Sequence, residues 1–292
     1  MELIVESLRQ RGYAPTAETF RSGRPDRVTL ALTTRTGLPV VAKMYPRGTG
    51  DSVFANMLRV WRSPFGESRR PPGLPQPVDY LPDLGILVME RVEGFPLAER
   101  DYIEPAVLDD VVRLLASLHE SSATSGLVRS SKHIVNSIRR KAEQAATLAP
   151  EWGNSFHQAA DTLAACRVED RELVASHGDF SPRNVMMGRE RLTLIDWDRF
   201  QVADPARDVA YLGLWSWAAY VRKRQTADWS VLDRTVAHYD SLRPQAAIKQ
   251  RLHFHIAAGL LRVAHSVVTL WPTERSAVPR LIREAQRQLR IG

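Results

Sequence analysis

Cysteine is nearly absent: Cys166 is the single one in 292 residues. No intramolecular disulfide and no cysteine-based zinc cluster can form, and a reducing compartment, the cytoplasm, is the expected setting. Long apolar runs are missing too. The longest uncharged stretch, from Val209 to Val221, is shorter than the roughly 20 residues a helix needs to cross a bilayer, so no membrane crossing is expected. The first residues carry neither a basic segment nor an apolar run, which argues against a secretory signal. There is no internal repeat and no low-complexity tract. Acidic charge is in deficit, since 40 Lys and Arg face 33 Asp and Glu, leaving +7 at pH 7. That balance raises the question of a nucleic-acid or membrane-surface partner.

What is present is ordinary globular material, 44% hydrophobic and 25% charged, in a chain long enough for one large domain or two modest lobes. Leu3, Ile4, Val5 and Leu8 mark a short opening helix that stops near Gly12. Residues 28–34 and 38–45 are β-prone runs around Thr36-Gly37, a hairpin signature. Residues 51–61 return to helical periodicity, and the proline-dense stretch 64–82 reads as loop with at most short extended pieces. A buried-looking strand covers 84–92. After Glu93-Gly94 the texture turns helical, at 105–120, 132–148 and 154–168, interrupted by strand candidates at 173–176, 184–187 and 192–195 before helices resume to the end.

The strongest chemical signal is Ser176-His177-Gly178-Asp179-Phe180-Ser181-Pro182-Arg183-Asn184, followed by Leu194-Ile195-Asp196-Trp197-Asp198. Asp179, Asn184 and Asp196 offer a carboxylate, a carboxamide oxygen and a second carboxylate, an oxygen-rich set suited to magnesium with a base beside it. Asp-x-x-x-x-Asn is also the spacing of a kinase catalytic loop.

His-Gly-Asp-x-x-x-x-Asn with a downstream Ile-Asp-Trp-Asp resembles the aminoglycoside phosphotransferase and choline kinase family. The resemblance implies an α+β, protein-kinase-like fold of two lobes: a small antiparallel-sheet N-lobe that binds nucleotide (1–92) and a larger, mostly helical C-lobe with the catalytic loop and acceptor site (93–292). It implies that Asp179 orients or deprotonates the acceptor hydroxyl and that Asn184 and Asp196 bind magnesium, with Asp198 an additional candidate. Asp204-Pro205-Ala206-Arg207-Asp208 is similar to a family segment in which Asp208 would buttress the catalytic loop. Val40-Val41-Ala42-Lys43 would place an ammonium on the nucleotide phosphates. Val88-Met89-Glu90-Arg91-Val92 resembles the hinge between the lobes, with Met89 just before it and the Glu90 carbonyl and Val92 N–H as adenine contacts. Val41, Met186 and Ile195 would sandwich the ring.

Two departures stand out. The glutamate that would pair with Lys43 is missing from the following helix, where Asn56 occupies its place. Either Asn56 bonds the ammonium, or Glu67 or Asp51 reaches it, or the pair is absent. The phosphate loop, Arg21-Ser22-Gly23-Arg24-Pro25-Asp26-Arg27, has one glycine, and Ser22 with neighbouring N–H groups would contact phosphate.

Bland readings hold for other residues. His177 is expected to be structural, His253, His255 and His265 to pack without a metal, Trp215, Trp217 and Trp229 to serve mainly as core, and Cys166 to be a buried small hydrophobe. Arg139-Arg140-Lys141 and Arg222-Lys223-Arg224 read as solvated helix faces. The acidic stretch Glu93, Glu99, Asp101, Glu104, Asp109 and Asp110 keeps an amine-bearing acceptor open, against a simple helix-dipole role. The expected function is transfer of the γ-phosphoryl group of ATP or GTP, with Mg²⁺, to a hydroxyl of a small molecule. The expected state is a cytoplasmic monomer or homodimer, without membrane or nucleic-acid partners. The alternative is a nucleotide-binding pseudokinase or interaction module whose missing Lys43 partner reports lost chemistry. A kinase for protein hydroxyls lacks an activation segment, because Asp196 to Asp208 spans only 13 residues.

Overall fold

The computed structural model describes residues 2–21, 28–46 and 48–291. In chain order the elements begin with α1 (Glu2–Gln10), β1 (Tyr13–Arg21), β2 (Val28–Thr34), β3 (Pro39–Met44), α2 (Gly50–Trp61), β4 (Pro77–Leu81), β5 (Ile86–Glu90) and β6 (Phe95–Pro96). Next come α3 (Pro105–His119), β7 (Val128–Arg129), α4 (Ser131–Leu148), α5 (Gly153–Ala165), β8 (Val174–Ser176), β9 (Val185–Met187), β10 (Leu192–Leu194) and β11 (Gln201–Ala203). The chain ends with α6 (Ala206–Arg222), α7 (Ser230–Leu242), α8 (Lys249–Leu270) and α9 (Val278–Ile291). These elements form two compact units: Met1–Phe95 with Ser121–Thr124 and Met186–Asp198, and Pro96–Glu120 with Ser125–Val185 and Arg199–Gly292. Residues 186–198 thus fold with the first unit, so its boundary is not a single cut in the chain.

The first unit is built on an antiparallel sheet of order β1-β2-β3-β5-β4. Strict alternation explains its buried face. Leu30 and Leu32 on β2 stand opposite Ala42 and Val40 on β3, and Ala42 stands opposite Val88 on β5. With Leu8 of α1, Tyr13, Leu81 and Ile86 they make one apolar core, each large aliphatic side chain contributing about 1.5–3 kcal/mol. The period of 2 sends Val41, Lys43 and Met89 to the other face. Strands β1 and β4 are the sheet edges; β1 was not expected from the sequence pattern, and β4 is a short extended piece of the kind the proline-dense stretch allowed. Each carries a proline and a register shift, between Pro15 and Thr19 and between Pro77 and Asp79, irregularities that an edge tolerates and that blur the alternating signal.

The second unit is mostly helical. Helix α8 packs against α4, α6 and α9 and is buried nearly all round, through Leu252, Phe254, Ile256, Leu260, Leu261, Val263 and Val267, as a central helix must be. Its Arg251 Nε meets buried Asp204 Oδ2 at 2.5 Å, while Asp204 Oδ1 accepts from Ala206 N at 2.9 Å and so starts α6. A small sheet of order β7-β11-β8 pairs Ser176 with Gln201 and anchors the loop that follows β8. Cys166, expected to be buried, is exposed. It stands where the chain leaves α5, its Sγ 3.8 Å from Leu289 O on α9. Among the described residues no helix is long and apolar enough to cross a membrane.

Candidate active site

Lys43 lies near the end of β3, on the sheet face opposite the core. Its Nζ is 2.5 Å from Asp196 Oδ1 and 2.8 Å from Asp198 Oδ1, and Tyr45 donates its hydroxyl to the same Asp198 oxygen at 2.5 Å. Asp196 adopts a left-handed backbone, φ 66°, a conformation that aspartate tolerates better than most residues. The partner of Lys43 is therefore supplied by the segment after β10, not by α2. Asn56 instead accepts from Arg59 at 2.8 Å, and Asp51 stands near Tyr80, where burial and then the Asp51 charge push the phenol up. Helical spacing after Lys43 could not reveal a partner 153 residues away.

The other residues assigned to the nucleotide gather in the same unit. Val41 is paired with Met89 across β3 and β5. Glu90 donates its backbone N–H to Gln76 O at 2.9 Å, and its carboxylate accepts from Gln76 N at 3.0 Å and from Arg191. Its side chain is thereby tied to the β9–β10 turn. Met186 lies on β9, Ile195 directly follows β10, and both, like Val41, Met89, Glu90 and Val92, are partly exposed. Gly94 has φ +114°, and a Cβ there would overlap the carbonyl of Met187, so this close approach requires glycine. Ser22 lies outside the described residues.

In the second unit the loop after β8 is held from behind by Asp208. Its carboxylate accepts from His177 N at 2.8 Å and Gly178 N at 3.0 Å, and His119 Nε2 lies 3.4 Å away. His119 Nδ1 is 2.7 Å from the hydroxyl of Tyr239, to which Arg243 donates at 3.0 Å. One assignment of protons serves the whole chain: Tyr239 donates to Nδ1, and Nε2–H donates to Asp208. Burial alone would push the Asp208 carboxyl up, but the His119 bond and nearby charge, Arg207 included, hold it below the usual carboxylate range. His177 is fully buried with its ring edge-on to Phe180. Gly178, φ +74°, could not carry a Cβ without striking the carbonyl of Arg199.

Asp179 in this loop is largely buried, its side chain 12% accessible. Arg262 of α8 donates to its Oδ1 at 2.8 Å and to Gly178 O at 3.1 Å, and Arg199 Nε is 3.8 Å from Oδ2. Burial opposes its charge, yet Arg262 first and then Arg199, His177 and Arg183 outweigh it, holding the carboxyl down at about 2. Asn184 donates its amide nitrogen to Asp179 O at 2.8 Å, so the carboxamide oxygen is the atom it can offer to a cation. The structure thus brings Asp179 and Asn184 together in one unit and Lys43, Asp196 and the adenine-type residues in the other.

The family model of the APH phosphotransferase enzyme family matches residues 16–245. The chain belongs to this family. It is a family of phosphotransferase enzymes. Three solved structures illustrate the likeness of fold. A thermostable mutant of aminoglycoside phosphotransferase APH(4)-Ia aligns at TM-score 0.69 and 14% identity over 100% of this chain and 98% of that one. Choline kinase LicA from Streptococcus pneumoniae aligns at TM-score 0.65 and 15% identity, over 100% and 99%. Aminoglycoside-3'-phosphotransferase of type VIII aligns at TM-score 0.60 and 21% identity, over 98% of both chains. No curated protein matches.

Sequence reasoning missed Arg262, Arg199 and the His119–Tyr239 pair. Arg262 lies 83 positions from Asp179 in sequence, and no motif joined them.

Proposed function

We propose that this APH-family protein transfers the γ-phosphoryl group of ATP or GTP to the hydroxyl of a small molecule, with Mg²⁺, in the cytoplasm as a monomer or homodimer. In this reading the first unit binds nucleotide and the second carries the catalytic loop and acceptor site. The observation that supports it most is the Lys43 ammonium held by two carboxylates, Asp196 and Asp198. That cluster supplies a cation for phosphates and hard oxygen donors for a dication. Asp196 and the carboxamide oxygen of Asn184 would hold the metal, whose chemistry when bound is neutralisation of phosphate charge. Lys43 would bind the phosphates; Val41, Met89, Met186 and Ile195 would pack on the base, with the Glu90 carbonyl and Val92 N–H at its edge and Ser22 at the phosphates.

Asp179 aligns the acceptor hydroxyl. As the hydroxyl oxygen bonds to the γ-phosphorus, the bond from that phosphorus to the bridging oxygen breaks, and the nucleoside diphosphate departs with its electron pair. A carboxylate held at about 2 is a weak base, so it orients the hydroxyl first and accepts the proton only once bonding to phosphorus has made that hydroxyl acidic. The pairing of Lys43 with Asp196 and Asp198 supports this reading over the pseudokinase alternative, which rested on Lys43 having no partner. Asp179→Asn is expected to retain nucleotide affinity in calorimetry while turnover falls by at least roughly a hundredfold; retained turnover would refute the assignment.

A further inference from the structure

Around the Asp179 carboxylate the second unit assembles guanidinium groups. Arg262 is bonded to it and Arg199 stands 3.8 Å away, while Arg183 projects from the same loop, exposed, next to Asn184. The local excess of positive charge registers on buried Arg207, pulled down to about 10 by burial and then by Arg262, with Arg199 and Arg129 adding and Asp208 opposing.

The aromatic rings of this region do not offer themselves to a cationic ligand. The Arg262 guanidinium lies 4.5 Å over Tyr211, Arg183 lies 4.2 Å over Trp215, and Arg222 lies 4.1 Å over Trp271. Ring faces that would attract a quaternary ammonium are already occupied by the protein's own cations. Two acidic residues of the segment once open to an amine are also spent. Asp109 binds Arg234 through both oxygens, at 3.0 and 2.6 Å, and Asp110 binds Arg113 at 2.6 Å. Glu99, Asp101 and Glu104 remain at the surface, where water and salt screen them.

We infer that the acceptor is an anion: a small hydroxylated molecule bearing a carboxylate or a phosphate, held by Arg183 and Arg199 while its hydroxyl meets Asp179. This rests on the phosphotransferase reading above and selects among its substrates. Guanidinium forks suit both anionic groups through paired, charge-assisted hydrogen bonds, and an ammonium in the same place would face three like charges.

The test uses the full chain with ATP and Mg²⁺ and acceptors matched in size. Ethanolamine, choline and an aminoglycoside represent cations, glycerol is neutral, glycerate carries a carboxylate, and glycerol phosphate carries a phosphate. Labelled phosphate transfer is expected to glycerate or glycerol phosphate, and the difference between those two arms identifies the anionic group. Arg183→Gln, whose melting temperature checks its fold, is expected to raise the KM of that acceptor about tenfold or more while the KM for ATP stays within about twofold. Preference for a cationic or neutral acceptor would overturn the inference and leave the phosphotransferase intact. So would Arg183→Gln and Arg199→Gln variants that raise the KM for ATP and not for the acceptor, since the arginines would then serve the nucleotide. If wild-type protein binds ATP but phosphorylates none of these acceptors, the inference is overturned while the family assignment stands.

Discussion

Replacing Asp208 by alanine should uncouple the catalytic loop from its support. The carboxylate is fully buried and accepts from two backbone N–H groups, His177 at 2.8 Å and Gly178 at 3.0 Å. In the alanine variant both donors stay buried without a partner, and each such orphan costs about 1–3 kcal/mol. His119 loses its acceptor as well, so a total of about 3–5 kcal/mol is expected. At about 2–4 °C per kcal/mol for a chain of this size class, melting should fall by on the order of 10 °C in calorimetry. Asp208→Asn keeps one acceptor oxygen but turns an amide N–H₂ towards one of the donors, so it should recover only part of the loss. Because Asp208 acts through the loop, turnover should fall steeply in both variants while nucleotide affinity in calorimetry changes little. An alanine variant that melts within about 2 °C of wild type and keeps its turnover would refute the reasoning.

Three further outcomes follow from other parts of the molecule. Burial pushes His255 down to about 3, and burial with the Lys141 charge pushes His265 down to about 4. Below the ordinary imidazole value near 6.5 the unfolded chain therefore binds protons that the folded one refuses, so stability present above that pH is lost as pH falls. The loss is roughly 1.4 kcal/mol per group at pH 5.5. Urea midpoints at pH 7.5 and 5.5 should differ accordingly, His265→Gln should shrink the difference, and equal midpoints would contradict the burial argument. Gly94→Ala, which must combine φ +114° with overlap of the Met187 carbonyl, should cost at least about 2 kcal/mol; a melting temperature equal to wild type would show that the turn relaxes freely. Cys166, exposed at the end of α5, should react with a thiol reagent in the folded protein at close to the rate seen after denaturation, and protection until unfolding would show that the site is closed.

The legible part of this protein was the part written in short-range pattern. The β-prone runs 28–34 and 38–45 around Thr36-Gly37 announced strands β2 and β3, and the helical periodicity of residues 51–61 and 105–120 announced α2 and α3, because such signals repeat over short distances along the chain. The edge strand β1 escaped, and β4 showed only as a short extended piece in a proline-dense stretch, since their prolines and register shifts break that repeat. The His-Gly-Asp-x-x-x-x-Asn run and the later Ile-Asp pointed to the family, because one loop and one strand end must deliver those oxygens over short distances along the chain.

Tertiary structure alone decided what surrounds those residues. Lys43 finds its counterions in Asp196 and Asp198, Asp179 is gripped by Arg262, and Asp208 is reached by His119 and Tyr239 through α3 and α7. None of these pairs leaves a periodic trace, because electrostatic partners need only converge in space, and any acidic or basic residue on a neighbouring element can answer. The sequence by itself determined the class of reaction. The fold determined the positive charge gathered around Asp179, which no short-range pattern records.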